Sequence, residues 1–256
     1  VLRADYVAKH GDSPYPSEKT LLVFNQDIEI FMHPMYMNNS DSTTFAFGEQ
    51  ENTINNYFRN ENSKKRSQVD LLKNFLLNYE NQKSAFFKKG TKEFEKRRKE
   101  YNNWIKMQTE TYKDFFVSRL FQFQYIPPVK WLGNEEERTL QLLKNYFYGI
   151  NFNDSLIIRT PESDRFLNTY MGLYGSMATN IELRDSLFTL AGRVACEKAS
   201  SGHPLVYGWV VDYFNNGYQM YDIKSGIKMI KKHIDNPNCL TSTKREIARR
   251  LEEMTK

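Results

Sequence analysis

Residues 69–105 read VDLLKNFLLNYENQKSAFFKKGTKEFEKRRKEYNNWI, and this stretch decides the fold class. Apolar residues such as Val69, Leu76, Phe94 and Ile105 return every three or four positions, which places one apolar stripe along a helix. Gly90 is the expected break between two helices. Folding the second helix back on the first would cover both stripes. The stretch therefore predicts a long helical hairpin.

The helical pattern extends in both directions from this hairpin. Its two helices are predicted at 53–88 and 91–108, and the Phe-rich segment 111–128 predicts a shorter helix that ends at two prolines. Asn134 precedes three acidic residues, and Glu137 can close a capping box with it, so a helix is predicted from there to Tyr148. Further helices are predicted at 162–175, 180–199, 204–217, 223–235 and 243–254.

The first fifty residues predict a small antiparallel β region. Short β-branched and aromatic segments alternate there with turn residues. Strands are predicted at 20–25, 28–33 and 43–48, and residues 1–8 can form another strand. The predicted fold is α+β and mostly α-helical. Its β region covers 1–50 and its helical domain 51–256, the latter made of the hairpin 51–108 and a bundle 111–256.

Composition and charge narrow the partner classes. Hydrophobic residues make up 40% of the chain, the mean hydropathy is −0.68, and no apolar run approaches the roughly 20 residues that span a bilayer. The net charge of +5 is concentrated at 64–66 and 88–100. A basic face can bind phosphates, but Glu93, Glu95 and Glu100 interrupt the second run at helical spacing. We therefore expect ion pairs on a solvated helix and no nucleic-acid partner.

No local signature of an active site is present in the sequence. A nucleophile elbow, a P-loop, a dinucleotide glycine fingerprint, an HExxH motif and an EF-hand loop are all missing. The histidines His10, His33, His203 and His233 lie far apart. His203 precedes a proline, which predicts a helix start, and His233 is expected to interact with a helix dipole. No catalytic residue is predicted.

The two cysteines form neither a CxxC motif nor a zinc-ligand cluster. Cys196 is predicted to be a small buried helix residue and Cys239 to lie in a loop, and a disulfide between them remains open. No metal and no cofactor is predicted. The chain contains 18 Phe, 16 Tyr and 3 Trp, mostly at helical spacing, so most are expected in the core. Trp131 is the expected exposed exception, and it raises the alternative of a stand-alone helical module that binds a peptide or glycan.

Residues 145–161, NYFYGINFNDSLIIRTP, predict a folded joint between two helices. Gly149 is placed to adopt the left-handed conformation that ends one helix, and Thr160 and Pro161 to cap and start the next. Arg159 is expected to bind Asp154 or the free carbonyls of the preceding helix. The four apolar residues expected to enter the core are Ile150, Phe152, Ile157 and Ile158.

The order of elements and several local motifs resemble the region before the thioredoxin-fold domain in TlpA-like thiol-disulfide oxidoreductases of Bacteroidetes. In that family a Glu-Asn pair opens a long helical hairpin, as in GEQEN (48–52), and a short helix ends near prolines, as in DFFVSRLFQFQYIPP (114–128). A basic amphipathic segment comes last, as in STKREIARRLEEM (242–254). The joint matches the family pattern at Tyr146, Phe147, Asn151, Phe152, Asp154, Ile157, Ile158, Arg159, Thr160 and Pro161.

The resemblance implies a non-catalytic accessory region of an exported, lipid-anchored protein on the periplasmic side of the cell envelope. A thioredoxin-like domain is then expected after residue 256, and the family's first strand pair is either missing or begins before Val1. The implied partners are that domain and its protein substrates, with membrane contact only through an upstream lipid anchor. Asp154-Ser155-Leu156 and Asp185-Ser186-Leu187 resemble the acceptor pattern for O-glycosylation in Bacteroidetes envelope proteins.

Overall fold

The structure is a computed structural model that describes residues 2–6, 15–22, 27–32, 43–47 and 50–254. The fold is α+β and mostly α-helical, as predicted. The strands are β1 Leu2–Tyr6, β2 Tyr15–Leu21, β3 Glu29–Met32 and β4 Thr43–Phe47. The helices are α1 Gln50–Asn78, α2 Ala85–Thr111, α3 Glu135–Lys144, α4 Pro161–Gly175, α5 Ile181–Ala199, α6 Pro204–Met220, α7 Lys224–Ile234 and α8 Ser242–Met254. Two 3₁₀ segments, Phe116–Gln124 and Ile157–Arg159, complete the order.

The strands form two antiparallel pairs. β1 pairs with β2, with Leu2 opposite Leu21, and β3 pairs with β4, with Met32 opposite Thr43. The predicted strands 28–33 and 43–48 correspond to β3 and β4. The predicted strand 20–25 begins earlier, at Tyr15, and its residues 23–26 lie outside the described residues.

The chain divides into two compact units, Val1–Gln124 and Tyr125–Lys256. The strands and the hairpin belong to the first unit, and α3 to α8 belong to the second. The predicted boundary at residue 50 and the thioredoxin-like domain expected after residue 256 stay predictions.

The predicted hairpin is present as α1 and α2, but Gly90 does not separate the helices. The break lies at 79–84, and α2 begins behind Ser84, whose Oγ accepts a hydrogen bond from the Phe87 amide at 3.0 Å. Gly90 lies inside α2, where a Cβ atom would come 2.5 Å from the Phe75 ring. Gly90 therefore serves the close approach of the two helices, and a serine cap begins the second helix.

Aromatic stacking fills the core of the first unit. The Phe58 ring stacks on Phe121 at 3.6 Å and on Trp104 at 5.1 Å between centroids, which joins α1, α2 and the 3₁₀ helix. That 3₁₀ helix replaces the α-helix predicted within 111–128. It ends at Gln124, before Pro127 and Pro128.

In the second unit, the apolar core lies between α4, α5, α6 and α7. Tyr218 of α6 passes between Gly192 of α5 and Gly226 of α7, and a Cβ atom on either glycine would overlap its side chain. The Tyr218 hydroxyl donates to the Phe188 carbonyl at 2.8 Å. The helices predicted for this unit match α4 to α8 within a few residues. The exception is α3, which ends at Lys144 and continues as turns instead of reaching Tyr148.

Candidate functional site

The joint 145–161 is held by hydrogen bonds within itself and to the turn between α5 and α6. Gly149 has φ +80°, and a Cβ atom there would lie 2.4 Å from the Tyr125 ring, so both its conformation and its packing require glycine. The Phe152 carbonyl accepts a hydrogen bond from the His203 amide at 2.8 Å, which fastens the joint to the turn between α5 and α6. The prediction of a folded joint is confirmed.

The apolar side chains of the joint follow the prediction in part. Ile157 is buried, and Phe152 packs against the core while partly exposed. Ile150 and Ile158 are half-buried. The polar residues close two local turns, because Asn151 Oδ1 accepts from the Asn153 amide and Asp154 Oδ1 from the Leu156 amide.

Two predictions about the joint are wrong. The Arg159 side chain is exposed, and no hydrogen bond or ion pair joins it to another described residue. Only its backbone amide is bonded, to the Leu156 carbonyl at 3.1 Å. The Asp154 carboxylate instead accepts from the backbone of its own turn. Thr160 occupies the N-cap position before Pro161, but its hydroxyl makes no capping hydrogen bond. The Ser163 hydroxyl donates to the Thr160 carbonyl at 2.6 Å in its place.

The Glu-Asn pair that carries part of the resemblance has a structural role. The Glu51 carboxylate accepts hydrogen bonds from the amides of Phe116 and Val117 at 2.8 and 2.7 Å, so it caps the 3₁₀ helix from 65 residues away in the sequence. Asn52 bonds both the amide and the carbonyl of Leu22, at 2.8 and 2.7 Å. Both side chains are buried. Together they fasten the start of α1 to β2 and to the 3₁₀ helix.

The two cysteines are free thiols inside the core of the second unit. Both are 0% exposed, Cys196 on α5 and Cys239 in the segment before α8. Burial raises the pKa of the Cys196 thiol far above its usual range, and burial raises the pKa of Cys239 to about 11. A thiol must ionise to act as a nucleophile or a metal ligand, so this environment keeps both cysteines unreactive. Their predicted placement is confirmed, and they form no disulfide.

The structure describes two of the four histidines, His203 and His233. His203 is the N-cap of α6, where its Nδ1 accepts from the Leu205 amide at 3.2 Å, as expected for a helix start. His10 and His33 lie outside the described residues.

His233 lies near the C-terminus of a helix, as predicted, and it also contacts a neighbouring helix. It lies in the last turn of α7, but its ring is only 6% exposed, and Nδ1 lies 2.6 Å from the Tyr207 hydroxyl of α6. Burial, followed by the charge of Lys232, lowers its pKa from the ordinary value of 6.5. The ring is therefore held neutral. This pair joins residues 26 positions apart, and no local sequence signal indicates it.

Trp131 was predicted to be exposed, and this is wrong. Its side chain is 6% exposed, although its neighbours Lys130 and Leu132 are both exposed. The capping box that follows is confirmed: the Asn134 side chain accepts from the Glu137 amide at 2.8 Å, and Glu137 accepts from the Asn134 amide at 2.9 Å.

A shallow, open depression of about 520 Å³ lies on α2, bordered by Thr91, Lys92, Glu95, Lys96 and Lys99. Among the described residues, no group of three or more His, Cys, Asp or Glu side chains could hold a metal ion. Within the same part of the chain, no helix has the length and apolar character that crossing a membrane requires. No protein-family model, curated protein or solved structure matches the chain.

Proposed function

We propose that this chain is a non-catalytic accessory region of an exported thiol-disulfide oxidoreductase. In this role it positions a thioredoxin-like domain or contributes to the choice of that domain's protein substrates. The observation that carries the proposal is that residues which match the family pattern hold parts of this fold together. Glu51 and Asn52 fasten three segments together, and Phe152 and Pro161 shape the joint. A protein that shares this architecture would need these residue types at these places.

The state of the cysteines supports the accessory role. A disulfide oxidoreductase needs an accessible thiolate with a lowered pKa, and Cys196 and Cys239 have the opposite properties. The thiol chemistry would then belong to the thioredoxin-like domain expected after residue 256.

The gene itself provides the first test. We expect the reading frame after Lys256 to encode a thioredoxin-like domain with a CxxC motif. A reading frame without such a domain would remove the assignment to this class.

The purified chain provides the second test. Residues 1–256 should not catalyse reduction of insulin disulfides by dithiothreitol, whereas the same chain extended through the CxxC domain should. The matched control is the extended protein with both CxxC cysteines replaced by serine. A Cys196→Ser/Cys239→Ser variant of the extended protein should retain activity, because neither thiol reaches solvent. Activity of residues 1–256 that this double variant abolishes would overturn the proposal.

A stand-alone binding module is the second candidate, and exposed apolar side chains favour it. Met220 is 76% exposed and Tyr221 61%, at the end of α6, and Ile181 is 65% exposed at the start of α5. Because α5 and α6 are antiparallel, these residues lie at the same end of the bundle. Trp131, which was expected to be an exposed binding residue, is buried and does not favour this candidate. If the purified chain binds a peptide or a glycan on an array, and a Tyr221→Ser variant does not, the result would favour the binding module over the accessory role.

A further inference from the structure

One face of α2 carries a stripe of lysines. Five lysines recur along it at spacings of three, four, three and seven residues. Asn103 stands midway through the seven-residue gap, where a further lysine would continue the pattern. All five are exposed. We call them the lysine stripe: Lys89, Lys92, Lys96, Lys99 and Lys106.

The stripe lies opposite the packed face of the helix. The face that packs on α1 and on the 3₁₀ helix contains buried residues such as Phe87, Phe94, Tyr101 and Ile105. At 100° per residue, the lysine positions fall on the other side of the helix. From Lys89 to Lys106 the stripe extends roughly 25 Å at 1.5 Å per residue.

The acidic residues of α2 do not neutralise this stripe. Glu93 and Glu100 bind Arg97 at 2.7 and 3.3 Å, and Glu95 binds Arg98 at 2.9 Å. The arginines therefore take up these three carboxylates. Among the described residues, no carboxylate lies within ion-pair distance of a stripe lysine. Glu110, one turn beyond Lys106, adds one negative charge at the end of the same face.

We propose that the lysine stripe docks this protein on an anionic lipid surface. A row of exposed lysines of one sign is attracted to a negatively charged bilayer, each contributing on the order of a fivefold gain in partition. One exposed apolar side chain stands beside the end of the stripe, Met107 at 59% exposure, whereas the Phe86 ring near the other end packs on Phe75 and Tyr79. A side chain such as Met107 can enter the headgroup region when basic residues hold a helix there.

The residue types favour a lipid surface over a nucleic acid. Arginine recognises single phosphates through two parallel hydrogen bonds, but both arginines of α2 are held by glutamates. Lysine is a flexible point charge that suits a diffuse negative surface. Single-stranded nucleic acids also bind through aromatic stacking, and the aromatic ring nearest the stripe in sequence, Phe86, packs on Phe75 and Tyr79. This inference does not depend on the proposed function.

Vesicle co-sedimentation of residues 1–256 tests the proposal. The protein should sediment with vesicles of phosphatidylcholine containing about one-third phosphatidylglycerol, and not with phosphatidylcholine alone. Binding should fall steeply between 0.05 and 0.5 M salt, as screening of exposed charges requires, the Debye length falling from roughly 14 to 4 Å. A Lys92→Gln/Lys96→Gln/Lys99→Gln variant should bind about a hundredfold more weakly.

The chain offers a matched control on α7. A Lys224→Gln/Lys228→Gln/Lys231→Gln variant removes the same charge from exposed lysines at the same spacing. It should bind the vesicles within about threefold of the unchanged protein, and circular dichroism should show both variants folded. Equal losses from the two variants would overturn the assignment to the stripe. Stripe-dependent binding to a DNA oligonucleotide without vesicle binding would overturn it as well.

Discussion

Replacing Gly208 with alanine should destabilise the second unit. A Cβ atom at Gly208 would lie 2.0 Å from the Leu240 carbonyl oxygen and 2.7 Å from the Thr241 amide nitrogen. Both are backbone atoms, so no side-chain rotation relieves the overlap. Ordinary contact distances require the segment before α8 to move by roughly 1 Å or more.

That segment is fixed to α6 at two points, so the movement has a cost. The Leu240 amide donates to the Pro204 carbonyl at 3.2 Å, and the Ser242 amide donates to Asp212 Oδ2 at 2.6 Å. Overpacking costs about 1–3 kcal/mol, and each weakened hydrogen bond adds about 1 kcal/mol. The higher helix propensity of alanine offsets about 1 kcal/mol of this destabilisation. The net loss should be about 2–4 kcal/mol.

Thermal unfolding followed by circular dichroism measures this loss. About 2–4 °C per kcal/mol gives a fall in Tm of roughly 4–16 °C. Gly217→Ala is the matched control on the same helix, because a Cβ atom there meets nothing within 4 Å. It should raise the Tm by a few degrees, as expected for alanine in a helix. A Gly208→Ala protein that melts at or above the unchanged protein would refute the reasoning.

Three further predictions concern buried contacts. The contribution of His233 to stability should be constant above about pH 6.5 and decline as the pH falls through 6.5 toward its lowered folded pKa, because the unfolded chain then binds one more proton. A His233→Gln variant should lack this part of the decline in urea titrations made at a series of pH values. Glu51→Ala should destabilise the first unit by about 2–4 kcal/mol in urea, because two amides lose a charged acceptor, and Glu51→Gln should lose less. Gly149→Ala should lower the Tm of the second unit, with a cost of about 1–3 kcal/mol for its positive φ, whereas Gly172→Ala should not.

Features that depend on residues close in sequence could be predicted, and contacts between distant residues could not. The capping box of Asn134 and Glu137 joins positions three apart, and the left-handed Gly149 follows from its place after a helix, so both were predictable. The role of Gly90 was misjudged because a glycine can serve close packing as well as a helix break. The Tyr207–His233 contact links positions 26 apart. Its partner depends on how α6 and α7 pack, which no local pattern specifies.

The charge distribution on α2 is a second feature that the sequence gives only in part. The sequence of this helix alternates signs, which favours a solvated face with mixed ion pairs. The structure separates the two basic residue types, since Arg97 and Arg98 bind glutamates along the helix and the lysines do not. A mixed surface would serve solubility equally well. A stripe of one sign about 25 Å long instead creates a directional attraction, so its orientation, more than the net charge of +5, is the property that a partner would recognise.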